Sequence, residues 1–163
     1  MLAGFPEELL DQATSLVTGK QNQANLRRAV SSGYYALFHL LIRDTIVHWS
    51  NPAHHPRLAR TFEHRSMKTA SASMLNRLAT EPGNFLPAEL AVRDKLRLVA
   101  QGLVDLQQAR HRADYDTEEP LDAADALLRV EQAIDAFYTW QEIKDESISQ
   151  DYLYSLLFRD RAF

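Results

Sequence analysis

The run Arg110-His111-Arg112-Ala113-Asp114-Tyr115-Asp116 gathers two guanidinium groups, an imidazole, two carboxylates and a phenol within seven residues. These are the groups from which phosphate binding and proton transfer are built. Upstream, Val92, Leu96, Val99, Leu103 and Leu106 recur at the i, i+3, i+4, i+7 interval of one buried helical stripe, and its next members are Arg110 and Ala113. A cation thus stands where the pattern calls for a core side chain. It must meet an anion or a wet cleft to offset its desolvation. If the helix continues, Arg110 and Asp114 share a face at i, i+4, as do His111 and Tyr115. Two readings follow. Either Arg110 and Asp114 form an internal ion pair that fixes the helix end, or Arg110 faces a groove and holds a phosphate with His111 or Tyr115 nearby.

The remaining candidates are weaker. His39 lies with Arg28, Ser32, Tyr35 and Arg43 on a mostly polar stripe, which suits a hydrogen-bonded structural histidine. His48, His54, His55 and His64 lack a regular ligand spacing and the chain has no cysteine, so no metal site is expected. Tyr34, Tyr35, Phe38 and Trp49 read as core aromatics before they read as a base-stacking platform. No Gly-rich phosphate loop or nucleophile elbow occurs, and no cofactor is expected.

The elements that must position Arg110 can be read from the same periodicity. A first helix is expected from about Pro6 to Val17, with proline in its opening turn and Gly19 just past its end. The second, about Asn22 to Trp49, carries one apolar stripe through Leu26, Val30, Gly33, Leu37 and Leu40 and another through Tyr35, Phe38, Ile42, Ile46 and Trp49. Two apolar faces place it at the centre of a bundle. A polar loop, Ser50 to Pro56, leads to a shorter helix from about His64 to Ala79, and the Arg110 helix opens near Pro87. A fifth helix runs from about Leu121 to Glu142 with Leu127, Val130, Ile134, Phe137 and Tyr138 on its buried side. The tail, 147–163, is apolar enough for a last helix that packs back or meets a partner. The expectation is a single all-α domain over 1–163, a bundle of five or six helices with its core at about 22–142.

Composition agrees: five glycines and six prolines, mostly between periodic segments, suit long helices better than many strands. The start, Met1 to Glu8, has no basic segment and no long apolar run of an export signal, and even Tyr34 to Trp49 is broken by His39, Arg43, Asp44 and His48. With no cysteine to oxidise, a cytoplasmic protein without a membrane partner is expected. The net charge of −4 argues against non-specific nucleic-acid coating. Local charge differs. Residues 54–68 hold Arg57, Arg60, Arg65 and Lys68 against Glu63 alone, while 114–125 carry six acids and no base. The basic segment is either solvated surface or a phosphate-facing edge.

Ala29-Val30-Ser31-Ser32-Gly33-Tyr34-Tyr35-Ala36-Leu37-Phe38-His39 resembles the RA-YYA-FH core-helix signature of HEPN proteins, and Arg110 to Asp116 resembles the R-(N/H)-x-ADYD signature of a small bacterial and archaeal subgroup. Phe62 to Lys68 is similar to that subgroup's linking segment, so the likeness spans about Leu26 to Tyr138. The resemblance implies a helical bundle that often forms homodimers, with Arg-bearing helix ends facing each other across a cleft. Active members are metal-independent ribonucleases using an arginine, the polar residue after it, and a histidine about five residues beyond the arginine. Arg110 and His111 match the first two, but Tyr115 stands at the histidine position. A phenol with a pKa of about 10 is a poor base at neutral pH, though it can donate a hydrogen bond, and His111 is the only nearby substitute.

The resemblance therefore implies a toxin–antitoxin or defence-type protein that binds RNA, a nucleotide or a nucleotidyltransferase-like antitoxin partner through a cleft around Arg110, with RNase activity degenerate or absent. The alternative is an active endoribonuclease toxin using Arg110 and His111. Arg110, His111 and Tyr115 are the candidate catalytic residues; Arg112, Asp114, Tyr35, His39, Arg65 and Lys68 are the candidate binding residues.

Overall fold

The computed structural model describes residues 4–158. Seven α-helices follow in order: α1 (Phe5–Thr18), α2 (Gln23–Val47), α3 (His55–Ala59), α4 (His64–Thr80), α5 (Pro87–Tyr115), α6 (Ala123–Ile143) and α7 (Ser147–Leu157), with no strand among the described residues. The chain is all-α as expected, with one helix more than the sequence indicated. The addition is α3, which lies partly in the stretch read as polar loop. A 3-10 turn, Pro52–His54, precedes it, and the Asn51 side chain accepts the Ala53 N–H there. Five residues do not hold a helix alone; α3 is anchored where Leu58 and Ala59 pack on the core. Residues 159–163 of the expected tail, and residues 1–3 of the N-terminal segment, lie outside the described residues.

Helix α2 is the central element, capped by Asn22, whose side chain accepts the Asn25 N–H. Both of its apolar stripes are buried as far as Ile46 except at half-buried Tyr35, against α1, α5 and α6. Trp49 is the exception: it falls beyond the helix and is 43% exposed. Helix α6 approaches on small residues. A Cβ on Gly33 of α2 would lie 3.2 Å from Ala133, and one on Gly102 of α5 would lie 3.1 Å from Ala136. This close approach corrects the expected phase of α6. Leu127 and Tyr138 point outward, 42% and 58% exposed, and the buried side runs through Ala126, Val130, Ala133, Phe137 and Trp140. Trp140 is fully buried, and its Nε1 donates to Asp44 Oδ2 at 2.8 Å, so the one polar atom on a large apolar ring is satisfied inside the core. The last helix packs back on the bundle: Tyr152 is buried with its hydroxyl 2.8 Å from that of Ser71 on α4.

The stripe of α5 is buried at Leu96, Val99, Leu103 and Leu106 as read from the sequence, and Arg110 continues it at 8% exposure. What lets α5 run to Tyr115 is Arg27 of α2, which serves the carbonyls that the helix end leaves unpaired. Its Nη1 donates to the carbonyls of Ala113 at 3.0 Å and Asp116 at 2.6 Å, and its Nη2 to that of Glu119. The acidic loop that follows is closed by Gln23, which exchanges two hydrogen bonds with the Leu121 backbone. Asp122 then caps α6, accepting from the Ala124 and Asp125 amides.

Candidate functional site

Arg110 lies one turn before the end of α5 on the side turned to α2. Its guanidinium carbon is 5.5 Å from the centre of the Tyr34 ring and 5.4 Å from that of Tyr35, within cation–π range of both. Both sequence readings of this residue leave a trace. Asp114 is present as a counter-ion, but the separation of Nε from Oδ2 is 3.6 Å, too long for a hydrogen bond. The carboxylate is engaged elsewhere, its Oδ1 accepting a short hydrogen bond from the Ser31 hydroxyl. Nε of Arg110 is enclosed and has no hydrogen-bond partner. A buried cation is thus held on aromatic faces with less than its full complement of acceptors.

His64, the first residue of α4, completes this inner site. Its Nδ1 is 2.7 Å from the Tyr34 hydroxyl and its ring centre 4.4 Å from that of Phe38. Burial and then the positive charge of Arg110 hold His64 below its ordinary pKa. Burial pushes the Tyr34 phenol up, with Arg110 opposing only in part. A phenol that keeps its proton donates to Nδ1, and the neutral imidazole then carries its own proton on Nε2. His39 sits beside this group among Phe5, Tyr35 and Phe38, with ring centres 5.1 to 6.1 Å away. It is not the hydrogen-bonded histidine that its polar stripe suggested. Its Nδ1 is buried without a partner, because the neighbouring rings exclude water and offer no acceptor, and burial, then His64, lowers its pKa.

The other expected site residues lie elsewhere. Successive residues on a helix diverge by about 100°, so His111 and Arg112 leave the face that Arg110 occupies. His111 is exposed and its ring is 5.0 Å from that of Tyr115, itself 68% exposed. His111, Arg112 and Lys68 line an outer cleft of about 580 Å³ that crosses α5 and is closed by Asp105, Gln108 and Arg129. Arg65 is exposed in the first turn of α4. Seven of the nine residues proposed from sequence therefore divide between an inner site with Arg110, Asp114, Tyr35 and His39, and an outer cleft with His111, Arg112 and Lys68; Arg65 and Tyr115 are exposed and line neither.

Sequence reasoning misses four participants: Ser31, Tyr34, His64 and Arg129. Tyr34 reads as a core aromatic, which is correct for its ring but not for its hydroxyl. His64 carries no signal, since its partner is thirty residues away and neither residue marks a shared periodic stripe. Among the described residues no group of three or more His, Asp or Glu side chains is arranged to hold a metal ion, and no helix is long and apolar enough to cross a membrane. Comparison of the chain with family models, curated proteins and solved structures returns no match.

Proposed function

We propose that this chain is a HEPN-type helical protein of a toxin–antitoxin or defence-type system that binds RNA or a nucleotide by a phosphate at Arg110. One observation carries the reading: the buried guanidinium of Arg110, whose Nε lacks a hydrogen bond and whose nearest carboxylate stands off at 3.6 Å. A planar guanidinium meets phosphate oxygens with two parallel charge-assisted hydrogen bonds, and a pre-oriented one gives up little side-chain freedom in doing so. Tyr34 and Tyr35 supply that orientation.

What favours binding over cleavage is the placement of the proton carriers. Tyr115 is an exposed phenol, and His111, the base of the endoribonuclease alternative, turns to the outer cleft. A homodimer that opposes the two α5 ends across a cleft, a nucleotidyltransferase-like protein partner and a cytoplasmic location belong to the same reading.

The test is equilibrium binding of a labelled nucleotide and a short RNA to the purified chain. Arg110→Gln is expected to weaken both at least tenfold and Arg110→Lys to weaken them less, while gels show the RNA intact after incubation without metal. Equal binding by wild type and both variants, with circular dichroism showing all three folded, would overturn the proposal.

A further inference from the structure

The end of α5 away from Arg110 holds a second buried arginine. Arg93 stands about 26 Å before Arg110 along the helix axis, at about 1.5 Å per residue, and lines neither the inner site nor the outer cleft. Its side chain is 8% exposed. Half of the guanidinium is committed: Nη1 donates to Glu81 Oε2 at 2.9 Å, and the guanidinium carbon lies 4.0 Å from the centre of the Phe85 ring. Nη2 is enclosed and has no hydrogen-bond partner. An enclosed charged donor without an acceptor is costly to a folded chain. This one lines a cleft of about 370 Å³ bounded by the α4–α5 connection, the first turns of α5 and the start of α7.

The other walls of the cleft define what would meet that donor. The backbone amides of Ser147 and Ile148 precede the first hydrogen bond of α7, from the Ser149 amide to the Glu146 carbonyl at 3.0 Å, and belong to the turn whose N–H groups a helix leaves unpaired. With Arg93 they make a seat for a carboxylate. A bare anion is nevertheless the wrong ligand. The two arginines of the cleft, Arg77 and Arg93, are matched by Asp151 and Glu81, which leaves Glu89 and Glu146 as uncompensated negative charge. Glu89 is engaged at the Leu86 amide, whereas the Glu146 side chain forms no ion pair or hydrogen bond among the described residues. A fitting ligand therefore carries a positive group as well as a carboxylate. Phe85, Val92 and Ile148, each half-buried, add an apolar wall. The volume lies near the lower end of the roughly 300–1,000 Å³ of small-molecule pockets, so the ligand is small.

We infer that this cleft binds a free α-amino acid with an apolar side chain. Its carboxylate accepts from Arg93 Nη2 and the opening amides of α7, its ammonium faces Glu146, and its side chain packs on Phe85, Val92 and Ile148. The site is independent of phosphate binding at Arg110, and neither depends on the other.

Isothermal titration calorimetry and thermal unfolding of the full chain with L-leucine and L-phenylalanine test this. Both amino acids are expected to bind and to raise Tm. Glycine, 4-methylpentanoate and leucinamide lack in turn the side chain, the ammonium and the carboxylate, and each is expected to bind about tenfold or more weakly than leucine. Glu146→Gln changes an exposed residue and leaves the packing intact. It is expected to weaken leucine about tenfold and leave 4-methylpentanoate unaffected, because only the ammonium loses its partner. Arg93→Lys keeps a charge beside Glu81 but not the forked donor, and is expected to weaken both ligands. If that variant does not fold, the contrast between the two ligands in Glu146→Gln decides. No binding of leucine or phenylalanine at about 10 mM, 4-methylpentanoate bound as tightly as leucine, or leucine affinity unchanged in Glu146→Gln overturns the inference.

Discussion

Replacing Asp114 by asparagine separates a structural ion pair from an anion site held ready by a loose counter-ion. The substitution is isosteric and the amide oxygen still accepts from Ser31, while an amide NH2 replaces the oxygen that faces Arg110, so the charge and the acceptor turned to Arg110 are removed together. At 3.6 Å the Coulomb attraction between Arg110 and Asp114 is about 4–5 kcal/mol for an effective dielectric constant near 20. Much of this is offset by desolvation, and the Asp114 side chain is still 30% exposed. A net loss of about 1–3 kcal/mol follows, below the roughly 3–5 kcal/mol of a fully buried pair. For a chain of this length each kcal/mol corresponds to about 2–4 °C, so Asp114→Asn is expected to lower Tm by roughly 2–12 °C. The informative part is rescue. With its carboxylate neutralised, Arg110 turns to an added anion, and binding to the folded state raises stability by RT ln(1 + [L]/Kd). Differential scanning fluorimetry across a titration of inorganic phosphate, then of oligouridylate, should therefore show a larger ligand-induced rise in Tm for Asp114→Asn than for wild type. The corresponding gain in affinity is about tenfold, or about 1.4 kcal/mol. If the variant is destabilised but gains nothing from either anion, the pair is a helix-end staple and the phosphate site is refuted.

Two further outcomes follow from the same packing. Because His39 and His64 are both held below the ordinary histidine value of about 6.5, the unfolded chain takes up protons that the folded one refuses as pH falls below it. Stability measured by urea unfolding is expected to be full above about pH 6.5 and to fall with decreasing pH. His39→Phe, which removes a buried unpartnered nitrogen from a ring cluster, should gain about 1 kcal/mol at pH 7 and flatten that pH dependence; an unaltered profile would count against the assignment. Trp140→Phe leaves Asp44 Oδ2 buried without its donor and loses ring volume from a fully packed site, a cost of about 2–4 kcal/mol by the same urea assay. A loss under about 1 kcal/mol would show that water replaces the indole.

The helices of this chain are legible in its sequence because their apolar stripes are long and their ends are marked by proline, glycine and asparagine. Arg110 is legible for the opposite reason, as a charge that breaks an otherwise regular stripe. Where periodicity misleads, it does so by favouring bulk. In α6 the alanines at 126, 133 and 136 carry the packing, since close helix approach selects small residues, whereas Leu127 and Tyr138 read as inward for their size alone. The division of the candidate residues between two faces is implicit in the step of about 100° per residue, but its consequence depends on which helices lie on either side. Pairings such as Tyr34 with His64, or Arg129 with the cleft that Lys68 enters, join positions whose separation along the chain has no period. They are products of the packing of α4 and α6 on α5, and no local pattern encodes them.

If a phosphate binds at the unpartnered Nε of Arg110, the Nε–Hε resonance of that residue reports on it directly. In a two-dimensional arginine spectrum of the ¹⁵N-labelled chain, assigned through the loss of one peak in Arg110→Lys, addition of oligouridylate should shift the Arg110 Nε–Hε signal downfield and slow its exchange with water. A spectrum in which oligouridylate binds while this signal stays in place would rule out Arg110 as the phosphate site.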